Sequence, residues 1–139
     1  MKDGVSGEKV NIAVFVSGGG TNLQALLDAE KNGVIRSGRI VLVVSDNPSA
    51  YALQRAKNAG KDTAIAEKSG RSQAEFEADL TAVLKKYNIG LIVLAGFLRI
   101  LSPSFVKNYE NRIINVHPSL IPSFCGKGYY GLRVHEAAL

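Results

Sequence analysis

The sequence predicts an α/β fold: a mainly parallel sheet with helices on both faces. Three observations predict it. Short apolar, β-branched runs recur along the chain, the pattern of strands covered on both sides. Stretches of helical period separate them, which implies right-handed crossovers. Glycine-rich or polar groups follow the ends of several runs, where open sheets of this kind bind ligands.

Residues 11–16 (NIAVFV) read as a central strand. Ser17, Gly18, Gly19, Gly20, Thr21 and Asn22 follow, after which Leu23, Leu26 and Leu27 return at helical spacing with Gly33 as a stop. Strand, glycine loop and helix together form an anion-binding arrangement. The backbone can approach a ligand closely, and the first N–H groups and the positive end of the helix face it. The glycines lack the spacing of dinucleotide sites, and the lysine of a P-loop is missing, so a monophosphate fits better than a pyrophosphate. The same residues also read as a tight turn, with Thr21 capping the helix and Gln24 completing a capping box.

Residues 39–45 (RIVLVVS) form the second strand, closed by a turn at Asp46, Asn47 and Pro48. A short helix over 50–58, ended by Gly60, leads to a third strand over 63–66, placed nearer an edge. Ser72 is an N-cap with Glu75 three residues on, and Phe76, Leu80, Val83, Leu84 and Tyr87 form the core stripe of the helix behind it. Residues 91–95 (LIVLA) are the fourth strand. Ser102 and Pro103 open another helix as cap and first residue. Between them lies Arg99, just past a buried strand's carboxyl end, where it reads either as a ligand contact or as half of a surface salt bridge.

Residues 113–116 are the fifth strand, and Pro118 forbids its continuation. Side chains alternate along a strand, so Asn115 and His117 share one side while Val116 turns to the core. An amide donor beside an imidazole suits a reaction in which oxygen gains negative charge, such as acyl transfer. The pair also reads as a satisfied structural couple. Residues 118–131 are an irregular loop, and a last helix begins near Leu132 with no signal to end it at Leu139, so the protein is expected to continue.

Composition places 139 residues in one domain, with residues 1–10 a disordered tail and 11–139 a domain incomplete at its C-terminal end. The net charge of +5 is spread evenly, nine of the seventeen basic residues falling in the first seventy positions. That favours anionic small molecules over nucleic acid, for which a basic cluster with interleaved aromatics is missing. One cysteine, Cys125, excludes an internal disulfide, no Cys/His group has metal-site spacing, and a cytoplasmic location is the default. No apolar run approaches a membrane span.

Three segments in this order carry a resemblance: Ser17 to Gln24 (SGGGTNLQ), Leu94 to Pro103 (LAGFLRILSP) and Ile114 to Pro122 (INVHPSLIP). From Asn11 to Leu139 the chain resembles the phosphoribosylglycinamide formyltransferases, folate-dependent enzymes of purine synthesis. The resemblance implies a Rossmann-like formyltransferase N-terminal portion and formyl transfer from 10-formyltetrahydrofolate, a co-substrate, to the amino group of glycinamide ribonucleotide, with no metal. It implies that Gly20, Thr21 and Asn22 hold the ribonucleotide phosphate, and that Leu98, Arg99, Ile100 and Leu101 line the folate pocket. Asn115 would contact the folate's formyl oxygen and His117 would serve the proton transfers.

Two departures accompany the resemblance. Gln73 stands where some members carry a folate-contacting arginine, with Arg71 displaced by two positions. The family's catalytic aspartate lies beyond the position of Leu139, so residues 1–139 alone are expected to bind a phosphate-bearing ligand weakly and to transfer little formyl. Formyltetrahydrofolate hydrolase, methionyl-tRNA formyltransferase and a non-catalytic phosphate-binding module are the alternatives.

Overall fold

The computed structural model describes residues 9–116. Most of the expected tail, His117, the irregular loop and the last expected helix lie outside the described residues. The elements run β1 (Val10–Val16), α1 (Thr21–Lys31), β2 (Gly38–Ser45), α2 (Tyr51–Asn58), β3 (Asp62–Ile65), α3 (Gln73–Lys86), β4 (Leu91–Ala95), α4 (Pro103–Asn108) and β5 (Ile113–Val116). The five strands lie in the order β3-β2-β1-β4-β5, and each neighbouring pair is parallel.

Alternation along β1 explains why both faces are covered. Ile12, Val14 and Val16 pack with Leu23 and Leu27 of α1 and Ala52 and Ala56 of α2. Ala13 and Phe15 turn to the other face, against Phe76, Leu80 and Leu84 of α3 and Phe105 of α4. Burial of each large side chain in this stripe contributes about 1.5–3 kcal/mol. A register shift between Ile12 and Ala13 leaves Val41 as the extra residue of β2. Val41 and Leu42 therefore face α3 together, while Ile40 and Val43 face α1 and α2.

Local signals set most boundaries. Ser72 and Glu75 form the predicted capping box of α3, and the Ser102 hydroxyl accepts from the Phe105 N–H with Pro103 in the first turn of α4. Val10, assigned to the tail from sequence, opens β1 opposite Gly38. The third strand is at an edge but begins one residue early, at Asp62, because an edge strand with half-exposed residues has weak apolar periodicity.

From β1 the chain winds outward to β3, then crosses back to β4 and β5 on the other side. The order therefore reverses between β1 and β4, and the loops after these two strands flank the crevice in which such sheets bind ligands.

Candidate functional site

The glycine loop leaves β1 at this crevice. Gly20 is the N-cap of α1, at φ +83°, and no side chain caps the helix. This corrects the reading of Thr21 as cap and Gln24 as its capping-box partner: Thr21 is already helical, and the Gln24 side chain bonds Arg55 and Asp28 instead. A side chain at position 20 is impossible without movement, since its Cβ would lie 2.6 Å from the Cβ of Ala52.

The loop is held from behind by α2. The Ala52 N–H donates to the Gly18 carbonyl at 3.1 Å, and Arg55 Nε donates to the Gly19 carbonyl at 2.7 Å. In a trans peptide the C=O and the following N–H point in opposite directions. With both carbonyls turned to α2, the N–H groups of Gly19 and Gly20 point away from it. They join the positive end of α1, whose first turn contains no acidic residue. Backbone donors arranged in this way suit an anion.

On the other side of the crevice, Gly96 (φ +77°) turns the chain at the end of β4. Ser17, buried at the end of β1, accepts from the Leu98 N–H through its hydroxyl at 2.9 Å, and Phe97 meets Phe15 edge-on at 5.2 Å. Arg99 Nε donates to Asp46 Oδ2 at 2.7 Å, which ties this loop to the end of β2. Leu98 and Ile100 are about four-fifths exposed (80% and 81%), whereas Leu101 packs against the α3 core. Two of the four residues assigned to a folate pocket therefore present apolar surface at the rim, one is held in an ion pair, and one is half-buried.

The α3 helix supports this segment. Gln73 Nε2 donates to the Ile100 carbonyl at 2.9 Å and to Glu77 Oε2 at 2.7 Å. Glu77 also accepts from the Ser102 N–H and hydroxyl, each at 2.6 Å. Burial pushes the Glu77 carboxyl up, but these hydrogen bonds more than offset it, and its pKa lies below the ordinary carboxylate value. Arg71, which precedes α3, pairs with Asp79 of that helix at 2.6 Å. Position 73 thus braces the loop.

Asn115 lies opposite Leu94 near the end of β5, half-buried, and Val116 packs on the α1 side as alternation predicts. Gly20, Thr21 and Asn22 and then Leu98 to Leu101 accordingly follow β1 and β4, and Asn115 lies near the end of the adjacent β5, on the same rim. His117, the partner expected for Asn115, lies outside the described residues. Sequence reasoning missed Arg55, Asp46, Ser17 and Glu77, whose contacts span 25 to 81 residues and have no local periodic signal.

Elsewhere, a concavity of about 480 Å³ between α1 and α2 is lined by both signs of charge, and Lys61 and Glu30 close on each other there at 2.6 Å. Its mixed lining favours neither sign of ligand charge. Among the described residues, no cluster of three or more His, Cys, Asp or Glu side chains could hold a metal, and no helix is long and apolar enough to cross a membrane.

Known proteins resemble this chain over most of its length. Residues 10–139 match the formyl transferase family. The chain is 40% identical over 131 residues to a phosphoribosylglycinamide formyltransferase of Escherichia coli, covering 94% of this chain and 59% of that protein. It is 44% identical over 125 residues to the chicken trifunctional purine biosynthetic protein adenosine-3, covering 89% of this chain and 12% of the relative. The solved phosphoribosylglycinamide formyltransferase of Coxiella burnetii superposes with a TM-score of 0.75 at 42% identity, covering 94% of this chain and 59% of that one. The chain thus spans less than two thirds of each of these relatives.

Proposed function

The chain belongs to the formyl transferase family, and on that premise we propose that it contributes the ribonucleotide-binding and formyl-activating parts of an enzyme that transfers a formyl group from 10-formyltetrahydrofolate to the amino group of glycinamide ribonucleotide. The observation that carries the reading is the placement of an uncapped, backbone-lined helix N-terminus and an asparagine on one rim, with the β4 loop between them.

In this reading the ribonucleotide phosphate sits on the N–H groups of Gly20, Thr21 and Asn22, which anchors the substrate away from the reacting atoms. The folate lies against Leu98, Arg99, Ile100 and Leu101. Asn115 donates to the formyl oxygen as the substrate amine forms its bond to the formyl carbon, so the charge that develops on oxygen meets a fixed dipole. The bond from that carbon to the folate nitrogen then breaks. His117 takes the amine proton and returns it to the departing nitrogen, a task suited to imidazole near neutral pH. The reaction requires no metal, its acceptor is a small molecule, and it belongs in the cytoplasm.

The test is an acceptor assay on the full-length protein with labelled 10-formyltetrahydrofolate and glycinamide ribonucleotide, initiator tRNA or water as acceptor. Label in the ribonucleotide is the expected result. Label transferred to tRNA, or released as formate without any acceptor, would refute it.

A further inference from the structure

We infer that Arg55 is a positioning residue for the phosphate loop, fixing the direction of its N–H groups before any ligand arrives. This rests on the reading of Gly20 to Asn22 as a phosphate site and adds a residue that the three sequence motifs do not include.

One planar guanidinium makes three attachments. Nε donates to the Gly19 carbonyl at 2.7 Å, Nη1 donates to Gln24 Oε1 of α1 at 3.2 Å, and the group lies over the Tyr51 ring at 5.0 Å. Tyr51 and Arg55 are four apart on α2, so the ring and the cation are neighbours on one helix face. The arginine therefore joins β1's loop and α1 to α2 through a planar fork that also rests over an aromatic ring of its own helix.

The consequence is directional. Turning the Gly19 carbonyl to α2 forces the Gly20 N–H the opposite way, because they belong to one planar peptide. Releasing that carbonyl would let the peptide rotate and present its oxygen, which repels an anion, where the N–H now stands. Ala52 blocks collapse of the loop from below: it fills the space where a Gly20 side chain would be, and the Arg55 Cδ is 3.2 Å from the same point. A site whose donors are already aligned spends less free energy on ordering when it binds.

The experiment is a titration of the full-length protein with inorganic phosphate, reading the affinity and the amide resonances of Gly19 and Gly20. Wild type is compared with Arg55→Ala, Arg55→Lys and Gln24→Ala, each also melted thermally. Wild type should bind with its Gly20 amide shifted, and Arg55→Ala should bind about tenfold more weakly. Arg55→Lys keeps the charge without the planar fork, so it should bind nearly as weakly as Arg55→Ala while melting close to wild type. Gln24→Ala removes one anchor and should cost about threefold.

Affinity of Arg55→Lys within about twofold of wild type would show that the charge acts and the geometry does not, overturning the inference. Undiminished binding by Arg55→Ala would overturn it as well. Should Arg55→Ala fail to fold, Arg55→Lys and Gln24→Ala decide on the same criteria. A wild-type protein that binds no phosphate at Gly20 would instead remove the phosphate reading itself, a result distinct from any difference among the variants.

Discussion

Arg99 and Asp46, 53 residues apart, meet with Nε 2.7 Å from Oδ2 and join the loop after β4 to the end of β2 across the top of β1. The pair is asymmetric. The Asp46 side chain is 7% exposed and its Oδ1 is buried with no hydrogen-bond partner among the described residues, whereas Arg99 is 45% exposed. Arg99 is the partner of a buried carboxylate as well as a residue of the proposed folate wall.

Removing the two partners should therefore have unequal effects. Arg99→Ala leaves a buried carboxylate unpaired and should cost about 1–3 kcal/mol, while Asp46→Asn should cost less because it removes the buried charge. Denaturant unfolding of both single variants and the double variant measures this. The double variant should be more stable than Arg99→Ala alone; strict additivity would show that the pair contributes nothing beyond its parts.

Gly20→Ala should damage both fold and site. The position needs a left-handed backbone, costing any side chain about 1–2 kcal/mol, and the new Cβ would press on Ala52. Thermal melting should fall accordingly, and phosphate titration should show the site lost. A Gly20→Ala protein with unchanged melting and phosphate affinity would contradict the geometry of the loop.

Acid should loosen the junction between α3 and the loop before α4. Glu77 has a pKa below the ordinary 4.5 because the Ser102 and Gln73 hydrogen bonds outweigh the effect of burial. A carboxyl depressed in the folded state contributes stability that is fully present above its unfolded pKa and is lost as pH falls through the folded value. Melting temperature followed downward from about pH 6 should decline more steeply in wild type than in Glu77→Gln, which cannot ionise. Parallel declines would assign the acid sensitivity to other groups.

Much of this fold is legible in the sequence because buried parallel strands are written as unbroken apolar runs: NIAVFV and LIVLA both form strands whose residues divide between two helical layers. Helix starts are equally legible where a side chain makes the cap, at Ser72 and Ser102. The start of α1 misleads because its cap is a glycine that contributes only backbone conformation, which leaves Thr21 looking like the capping residue. The bracing contacts Arg55 to Gly19 and Gln73 to Ile100 are not legible at all, and for Arg99 the salt bridge is legible but not its partner, Asp46. They depend on which strands become neighbours, and a strand order that reverses between β1 and β4 follows from tertiary packing rather than local pattern. The site's rim can be read in advance, since loops at strand carboxyl ends share one side in any parallel sheet. The clamps that shape it cannot.

The most direct test of the proposed division of labour along the rim is a comparison of Asn115→Ala with wild type in the full-length protein, measuring kcat for formyl transfer together with the Kd for glycinamide ribonucleotide. Asn115 lies near the end of β5 and the glycine loop follows β1, with β4 between them, so removing the amide should leave the phosphate anchor intact. The expected result is a kcat lower by about 10²–10³-fold with ribonucleotide affinity nearly unchanged, the cost of one donor to a developing oxyanion. A Kd that weakens as much as kcat falls would contradict the assignment and place Asn115 among the residues that hold the fold or the substrate.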